Sequence, residues 1–222
     1  MTHRHPAVPY ILPFAVFVAL LALGPRLGLP PRADLALRLL LPALALWIFS
    51  REALDFKCRA PWTSLALGVA VFAVWIGPDL LFPAWRQHWL FSNSLTGGLK
   101  TTLPEGATAD ALSLWLRGLR ASLAVPPLEE LFWRAWLMRW LINQDFRSVP
   151  LGAWQRNAFW ITAILFALEH GPYWEVGLAA GLIYNGWMVR VKSLGDLILA
   201  HAVTNACLSL YVVFTGRWEY WL

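Results

Sequence analysis

The sequence predicts an all-α integral membrane protein, a polytopic bundle of about seven or eight transmembrane helices. Of the 222 residues, 59% are hydrophobic and 14% are charged, and the mean hydropathy is +0.53. Average soluble domains are about 45–50% apolar and about 25% charged, and disordered chains are less hydrophobic still. Three intervals, 6–25, 60–78 and 197–216, contain no Asp, Glu, Lys or Arg. Each has about the 20 residues that cross a bilayer core, and the sequence has no alternating pattern of the barrel type.

Apolar runs and the turn residues between them define eight predicted helices. These cover 9–24, 35–50, 62–82, 110–125, 127–142, 153–170, 174–190 and 195–215. Pro126 and Pro127 suit the first turn of a helix, where a missing N–H costs little, and so separate the fourth helix from the fifth. The long polar interval 83–108 is predicted to lie at the membrane surface. We interpret residues 1–222 as a single integral membrane domain, with a motif-bearing core at about 110–215.

The charge and the cysteines exclude several classes of partner and site. The net charge of +5 is scattered between apolar runs, whereas nucleic-acid binding needs a clustered basic face. We therefore expect no nucleic-acid partner and take the lipid bilayer as the surroundings of the chain. Cys58 and Cys207 lie far apart and indicate neither a disulfide framework nor a cysteine zinc site. Arg51, Lys57 and Arg59 place the loop after the second helix in the cytoplasm by the positive-inside rule.

A first cluster of charged residues interrupts the apolar sequence at Glu129-Glu130-Leu-Phe-Trp-Arg134. Charged side chains in membrane helices cost about 2.5–3.5 kcal/mol each on insertion scales, which makes them functional candidates. Glu130 and Arg134 are four residues apart and can pair on one helix face. Glu129 lies about 100° around the helix from Glu130 and so points elsewhere. The alternative is a double glutamate at a helix N-terminus, stabilised by the helix dipole.

Two further polar clusters follow in the apolar sequence. Glu169 and His170 close the charge-free stretch 157–168, and His201 and Asn205 share one face of a later apolar helix. Taken separately, His170 could be a helix cap, and the other two could hydrogen-bond to neighbouring helices. Taken together with the glutamates, they supply the parts of a hydrolytic site. A carboxylate can accept a proton from water, and an imidazole can orient that water, while an amide and a second imidazole can donate to an oxyanion.

The three clusters, in this order, resemble the motifs of the CAAX protease and bacteriocin-processing (CPBP, or Abi) family of intramembrane peptidases. The family motifs EExxxR, FxxxH and HxxxN correspond here to Glu129-Glu130-Leu-Phe-Trp-Arg134, Phe166-Ala-Leu-Glu-His170 and His201-Ala-Val-Thr-Asn205. The glycine-rich stretch that begins Gly177-Leu-Ala-Ala-Gly181 is also similar to the family. The resemblance covers about residues 110–215. The length and the first half resemble a bacterial subgroup associated with exosortase sorting systems.

The resemblance implies a membrane endopeptidase of about eight spans, similar to the type II enzymes that trim prenylated CAAX proteins. It implies that Glu129 and His170 activate water and that His201 and Asn205 stabilise the oxyanion. The second glutamate and the arginine of the first motif would form a supporting pair, and no cofactor is expected. The substrate would be a protein or peptide at the membrane, exported or membrane-anchored, because bacteria generally lack endogenous prenylation. The expected location is a bacterial inner (plasma) membrane.

Three other interpretations use the same residues. Glu129, His170 and His201 would give a zinc metallopeptidase its His₂Glu ligand set, with one coordination position open. A non-catalytic membrane scaffold or immunity protein would use the polar groups only to join helices. A proton-coupled transporter ranks below both, because the sequence has no evident inverted repeat. The sequence makes no prediction of the oligomeric state.

Overall fold

The computed structural model describes residues 5–103 and 106–221, and within these ranges the chain forms seven helices and no strand. The helices are α1 (Val8–Leu23), α2 (Pro31–Ser50), α3 (Pro61–Leu81), α4 (111–140), α5 (Arg156–Leu168), α6 (Trp174–Val191) and α7 (Leu194–Thr215). The prediction of an all-α bundle of about seven or eight helices is therefore confirmed.

Three of these helices are long and apolar enough to cross a membrane: α2, α3 and α7, with 20, 21 and 22 residues. The helices α1 and α5 are apolar but shorter, with 16 and 13 residues. Large apolar side chains cover the outer surface of the bundle, among them Trp62, which is 81% exposed, and Phe214, which is 84% exposed. In water such a surface would be unfavourable, whereas in a bilayer it faces lipid. The chain is an integral membrane protein.

The expected break at Pro126 and Pro127 is wrong, because one bent helix, α4, runs from 111 to 140. Two wider, π-helical turns interrupt it at Arg120–Ala124 and Leu131–Leu137. In the first of these turns the amide of Val125 donates five residues back, to the carbonyl of Arg120. Neither proline has an amide hydrogen, so a wider turn before them lets the helix continue with φ and ψ values in the helical region.

Helix α4 begins at a charged cap outside the apolar region. The carboxylate of Asp110 accepts a hydrogen bond from the backbone amide of Ser113 at 3.2 Å. Arg32, at the start of α2, pairs with the same carboxylate at 2.9 Å. The hydrogen bonds from Arg32 and then Ser113 hold the pKa of the Asp110 carboxyl well below its usual range. These contacts join the beginnings of α2 and α4.

Close packing of α3 against α7 depends on Gly68. A Cβ at this position would overlap the carbonyl oxygen of Ala200 and lie 2.8 Å from Cβ of Val203. The hydroxyl of Thr204 also donates to the carbonyl of Gly68 at 2.8 Å. Small residues of this kind let membrane helices approach closely enough to form interhelical hydrogen bonds. The contact fixes the position of α7, which carries two of the candidate site residues.

The polar segment after α3 covers one end of the bundle. Arg86 of this segment pairs with Asp79 at 3.0 Å and with Glu175 at 2.7 Å, which ties it to the end of α3 and the start of α6. The amide of Thr102 donates to the carbonyl of Trp221 at 2.8 Å. The segment and the C-terminal residues therefore close over the interior from the same side.

A buried aspartate joins the beginnings of α3 and α7, and its removal should destabilise the protein. Asp196 is fully buried and accepts hydrogen bonds from the hydroxyl of Ser64 at 2.7 Å and from the amide of Ala60 at 3.0 Å. Asp196→Ala leaves these donors without an acceptor, and each such group costs about 1–3 kcal/mol. We expect a clear fall in the thermal unfolding temperature in detergent.

The control for this prediction is Asp145→Ala, which removes an exposed carboxylate in a loop. Exposed substitutions of this kind change stability by about 0.5 kcal/mol or less. Equal unfolding temperatures for Asp196→Ala and Asp145→Ala would contradict the assignment of Asp196 as the contact that joins the two helices.

Candidate active site

The candidate residues from all three motifs line one cavity of about 460 Å³. Glu129 comes from α4, His170 from the turn after α5, and His201 and Asn205 from α7. Glu169, which precedes His170, lines the same cavity. Residues separated by more than 70 positions in the chain are thus brought together, as a common active site requires.

Glu130, Arg134 and His201 form a buried hydrogen-bonded network behind this cavity. Oε1 of Glu130 accepts from Nη1 of Arg134 at 3.1 Å and from Nδ1 of His201 at 2.8 Å. Nε of Arg134 donates to Oδ1 of Asn185 at 3.0 Å. Glu130, Arg134 and Asn185 are all fully buried. The pair expected between Glu130 and Arg134 is present, and it connects α4 to α6 and α7.

The orientation of His201 is fixed on two sides. A carboxylate paired with arginine only accepts hydrogen bonds, so Nδ1 of His201 carries the proton that Glu130 binds. The ring stacks on Tyr184 with the two centroids 5.2 Å apart. Nε2 then points toward Glu129 and lies 4.0 Å from its Oε2. In the neutral ring this Nε2 is an acceptor, and it donates only when both ring nitrogens are protonated.

Glu129 differs from Glu130 in its environment. Its side chain is buried, yet its Oε2 has no hydrogen-bond partner among the residues that the structure describes. It also lines the cavity, which Glu130 does not. Because Glu129 lines the cavity, its carboxylate is the one of the two that can meet a water molecule there. The two neighbouring glutamates therefore have different surroundings, one bound to protein groups and one free to contact water.

His170 lies just beyond the end of α5, since the helix expected to extend to 170 ends at Leu168. Its Nδ1 donates to the carbonyl of Phe166 at 2.7 Å, so in the neutral ring Nε2 carries the lone pair. The ring contacts Trp75, with the centroids 5.1 Å apart. Gly177 of α6 packs directly against it, because a Cβ there would lie 3.2 Å from Cβ of His170. These contacts hold the imidazole at the cavity wall.

Asn205 is positioned by the π-helical turn before the two prolines. Its Nδ2 donates to the carbonyl of Ala121 at 2.8 Å. That carbonyl has no helical donor of its own, because the amide of Val125 bonds to Arg120 and Pro126 has no N–H. The side-chain amide of Asn205 satisfies it and keeps a second N–H. Asn205 thus lies at the cavity wall one helical turn after His201.

The sequence did not single out Asn185 or Tyr184, although both support the site. Asn185 accepts from Arg134 and donates through Nδ2 to the carbonyl of Phe159 at 2.8 Å. The sequence did contain a sign of this role, because Tyr184 and Asn185 are two adjacent polar residues within a glycine-rich apolar helix.

The described part of the chain contains no group of three His, Cys, Asp or Glu side chains arranged to hold a metal ion.

Comparison with known proteins gives one match. Residues 111–207 match the family model described as type II CAAX prenyl endopeptidase Rce1-like. No curated protein and no solved structure matches the chain. The matched segment contains the three motifs in full, from Glu129 to Asn205. The match over this segment supports membership of the chain in the CAAX protease and bacteriocin-processing family of membrane peptidases.

Proposed function

We propose that this protein is a membrane endopeptidase that hydrolyses a peptide bond by water activated at Glu129 and His170. The observation that carries the proposal is the different environment of the two adjacent glutamates. Oε1 of Glu130 is bound by Arg134 and His201 and Glu130 does not line the cavity, whereas Glu129 lines the cavity and its Oε2 makes no hydrogen bond to a described residue. A general base must reach its water, and only Glu129 of the two meets that requirement.

The proposed reaction begins with a water molecule in the cavity. Glu129 accepts a proton from this water, Nε2 of His170 accepts a hydrogen bond from it, and its oxygen attacks the carbonyl carbon. The C–O bond forms as the carbonyl π electrons move to oxygen. When the C–N bond breaks, the amine takes the proton held by Glu129, and the carboxylate is restored. Proton transfer of this kind supplies about 10²–10⁴ in rate.

The oxyanion that forms at the carbonyl needs donors in a fixed position. Asn205 is the proposed donor, since one N–H is held by Ala121 and the second remains. His201 is the second proposed donor. It can serve only with both ring nitrogens protonated, and in that state Nδ1 faces Glu130 and Nε2 faces Glu129. Donors held in place before the reaction stabilise the transition state without reorganisation.

The proposed substrate is a membrane-associated or exported protein cleaved near its carboxyl terminus. The family name gives CAAX prenyl proteins as the substrates of type II enzymes. In a bacterial plasma membrane the substrate would be a sorted, membrane-anchored protein, as the resemblance to the exosortase-associated subgroup suggests. The apolar surface of the bundle would hold the enzyme in the same bilayer as such a substrate.

A zinc metallopeptidase is the second candidate. One contact favours it, although Glu129, His170 and His201 as they stand in the described structure are not arranged to hold an ion. Metal-binding histidines commonly donate their other ring nitrogen to a carboxylate, as Nδ1 of His201 does to Glu130. The two candidates differ in their response to chelators. Loss of cleavage in chelator, restored by added zinc, would support Glu129, His170 and His201 as ligands, and unchanged cleavage would support the metal-free mechanism.

Glu129 and Glu130 should respond differently to the loss of their charge. Glu129→Gln should lower turnover by about 10²–10⁴-fold, because the amide cannot accept the proton. Its thermal unfolding temperature should stay near wild type, since Oε2 of Glu129 has no described partner to lose. His170→Ala should lower turnover in the same way. The measurement is cleavage of a membrane substrate by purified protein, with unfolding followed in parallel.

Glu130→Gln is the matched control for this prediction, with the same chemical change one residue away. It weakens a buried ion pair, and loss of one partner of such a pair costs about 3–5 kcal/mol. We expect Glu130→Gln to lower the unfolding temperature much more than Glu129→Gln does. Full cleavage by Glu129→Gln would exclude Glu129 as the base, whereas no cleavage by the wild-type protein would favour a scaffold or immunity protein.

Substitution of Asn205 should affect turnover and not substrate binding. Asn205→Ala should lower kcat by about 10²–10³-fold and change KM little, because the oxyanion exists only in the transition state. Asn205→Asp should be at least as harmful, since it places a carboxyl where negative charge develops. Steady-state kinetics of both variants tests this. A rise in KM with unchanged kcat would show that Asn205 only lines the substrate channel.

A further inference from the structure

Arg120 of α4 is a buried cation in the wall of the cavity. Only 2% of its surface is exposed, and it lines the same cavity as Glu129 and Asn205. Its Nε and Nη1 have no hydrogen-bond partner among the residues that the structure describes. Buried charges are normally paired, because an unpaired one loses its hydration without compensation. An intramembrane arginine in this state is therefore a candidate for binding a ligand.

Asp34 attracts Arg120 through its charge but makes no hydrogen bond to it among the described contacts. Asp34 of α2 is engaged by Arg38, whose Nε lies 3.0 and 2.9 Å from its two carboxylate oxygens, and this pair is itself buried. Arg117, one turn before Arg120, lines the cavity as well. Arg120 therefore shares the cavity with the candidate catalytic residues.

Arg139, near the end of α4, is a buried arginine whose contacts are purely structural. Nε of Arg139 donates to the carbonyl of Val149 at 2.8 Å, and its Nη1 donates to the carbonyl of Ala135 at 2.9 Å. These contacts fix the loop after α4, and Arg139 does not line the cavity. Arg120 is buried to a similar degree, but its Nε and Nη1 make no such contact with any residue that the structure describes.

The spacing along α4 relates Arg120 to the proposed base. Arg120 and Glu129 are nine residues apart on one helix, which corresponds to about 13 Å of rise. An extended peptide covers this distance with about four residues. A single peptide can thus contact Arg120 with one group and present a backbone amide to Glu129. A guanidinium matches a carboxylate with two parallel N–H···O bonds.

We propose that Arg120 is a specificity-determining residue, which binds the terminal carboxylate of the peptide substrate a few residues away from the bond that is cut. The inference rests on the proposed peptidase function and adds to it the residue that selects the substrate. Arg120 takes no part in the chemical step. It orients the peptide in the cavity, and the carboxylate supplies an acceptor for Nε and Nη1, which have no hydrogen-bond partner among the described residues.

The test compares two fluorescent farnesylated peptides that end in a CAAX sequence and differ only in a free carboxylate or a carboxamide. Wild type should show a KM lower by about 10–100-fold for the free carboxylate, the range of one charged hydrogen bond. Arg120→Gln should lose this discrimination and show the same KM for both peptides. Arg120→Lys keeps the positive charge but lacks the two parallel N–H donors of the guanidinium, so it should retain part of the KM difference between the two peptides.

Thermal unfolding separates binding from structural support. Arg120→Gln should unfold at the wild-type temperature or above it, because it removes an unpaired buried charge. The matched control, Arg139→Gln, should unfold at a lower temperature and keep the wild-type KM ratio, because it loses contacts to two backbone carbonyls. A large loss of stability in Arg120→Gln, with the KM ratio intact, would overturn the inference.

Peptide binding to the Glu129→Gln variant keeps this inference separate from the proposed function. There the free-carboxylate peptide should raise the unfolding temperature more than the carboxamide does, and adding Arg120→Gln should abolish the difference. If this difference is found but the wild-type protein cleaves neither peptide, the proposed peptidase function is refuted, whereas the proposal that Arg120 binds a carboxylate is supported. Equal stabilisation by both peptides would overturn the inference. If Arg120→Gln abolishes stabilisation by short-chain phosphatidylglycerol but changes stabilisation by neither peptide, the inference is also overturned, and Arg120 binds a lipid phosphate instead.

Discussion

Glu130 accepts hydrogen bonds from Arg134 and from His201 in a region of the bundle that solvent does not reach. The geometry of the site depends on this contact. In such surroundings an unpaired charge is costly, so these side chains can be buried only together. The contact holds α4 beside α7, and it fixes which nitrogen of His201 faces Glu129. Because Glu130 makes the contacts to Arg134 and His201, Oε2 of the adjacent Glu129 can remain without a hydrogen-bond partner among the described residues.

The backbone of α4 adds a second constraint, which comes from missing hydrogen bonds. Pro126 and Pro127 cannot donate, and the helix continues past them with a π-helical turn rather than ending. This turn leaves the carbonyl of Ala121 for the side chain of Asn205. A local defect in one helix thereby orients a side chain on another. The same turn carries Arg120 at the cavity wall, so one irregular segment positions both Asn205 and Arg120.

Small residues allow the helices to come close enough for these contacts. Gly68 lets α3 approach α7, and Gly177 lets α6 approach His170. At Gly68 a side chain would overlap the atoms of α7, and at Gly177 it would push its neighbours away by a few tenths of an ångström. The resulting distances permit hydrogen bonds between helices, such as the one from Thr204 to the carbonyl of Gly68. Polar groups are satisfied inside the bundle, and the apolar side chains are left for the lipid.

The sequence by itself determined the class of the protein, the approximate helices and the three polar motifs, because length, hydropathy and charge are local properties of the chain. It also predicted the pair of Glu130 with Arg134, since four residues always separate neighbours on a helix face. Only the tertiary structure decided that α4 continues through its prolines, that His201 binds Glu130, and that Asn185, Tyr184 and Arg120 belong around the site. These contacts join residues distant in sequence, and burial gives them their energetic weight. Burial is a property of the packed bundle, which local sequence patterns do not report.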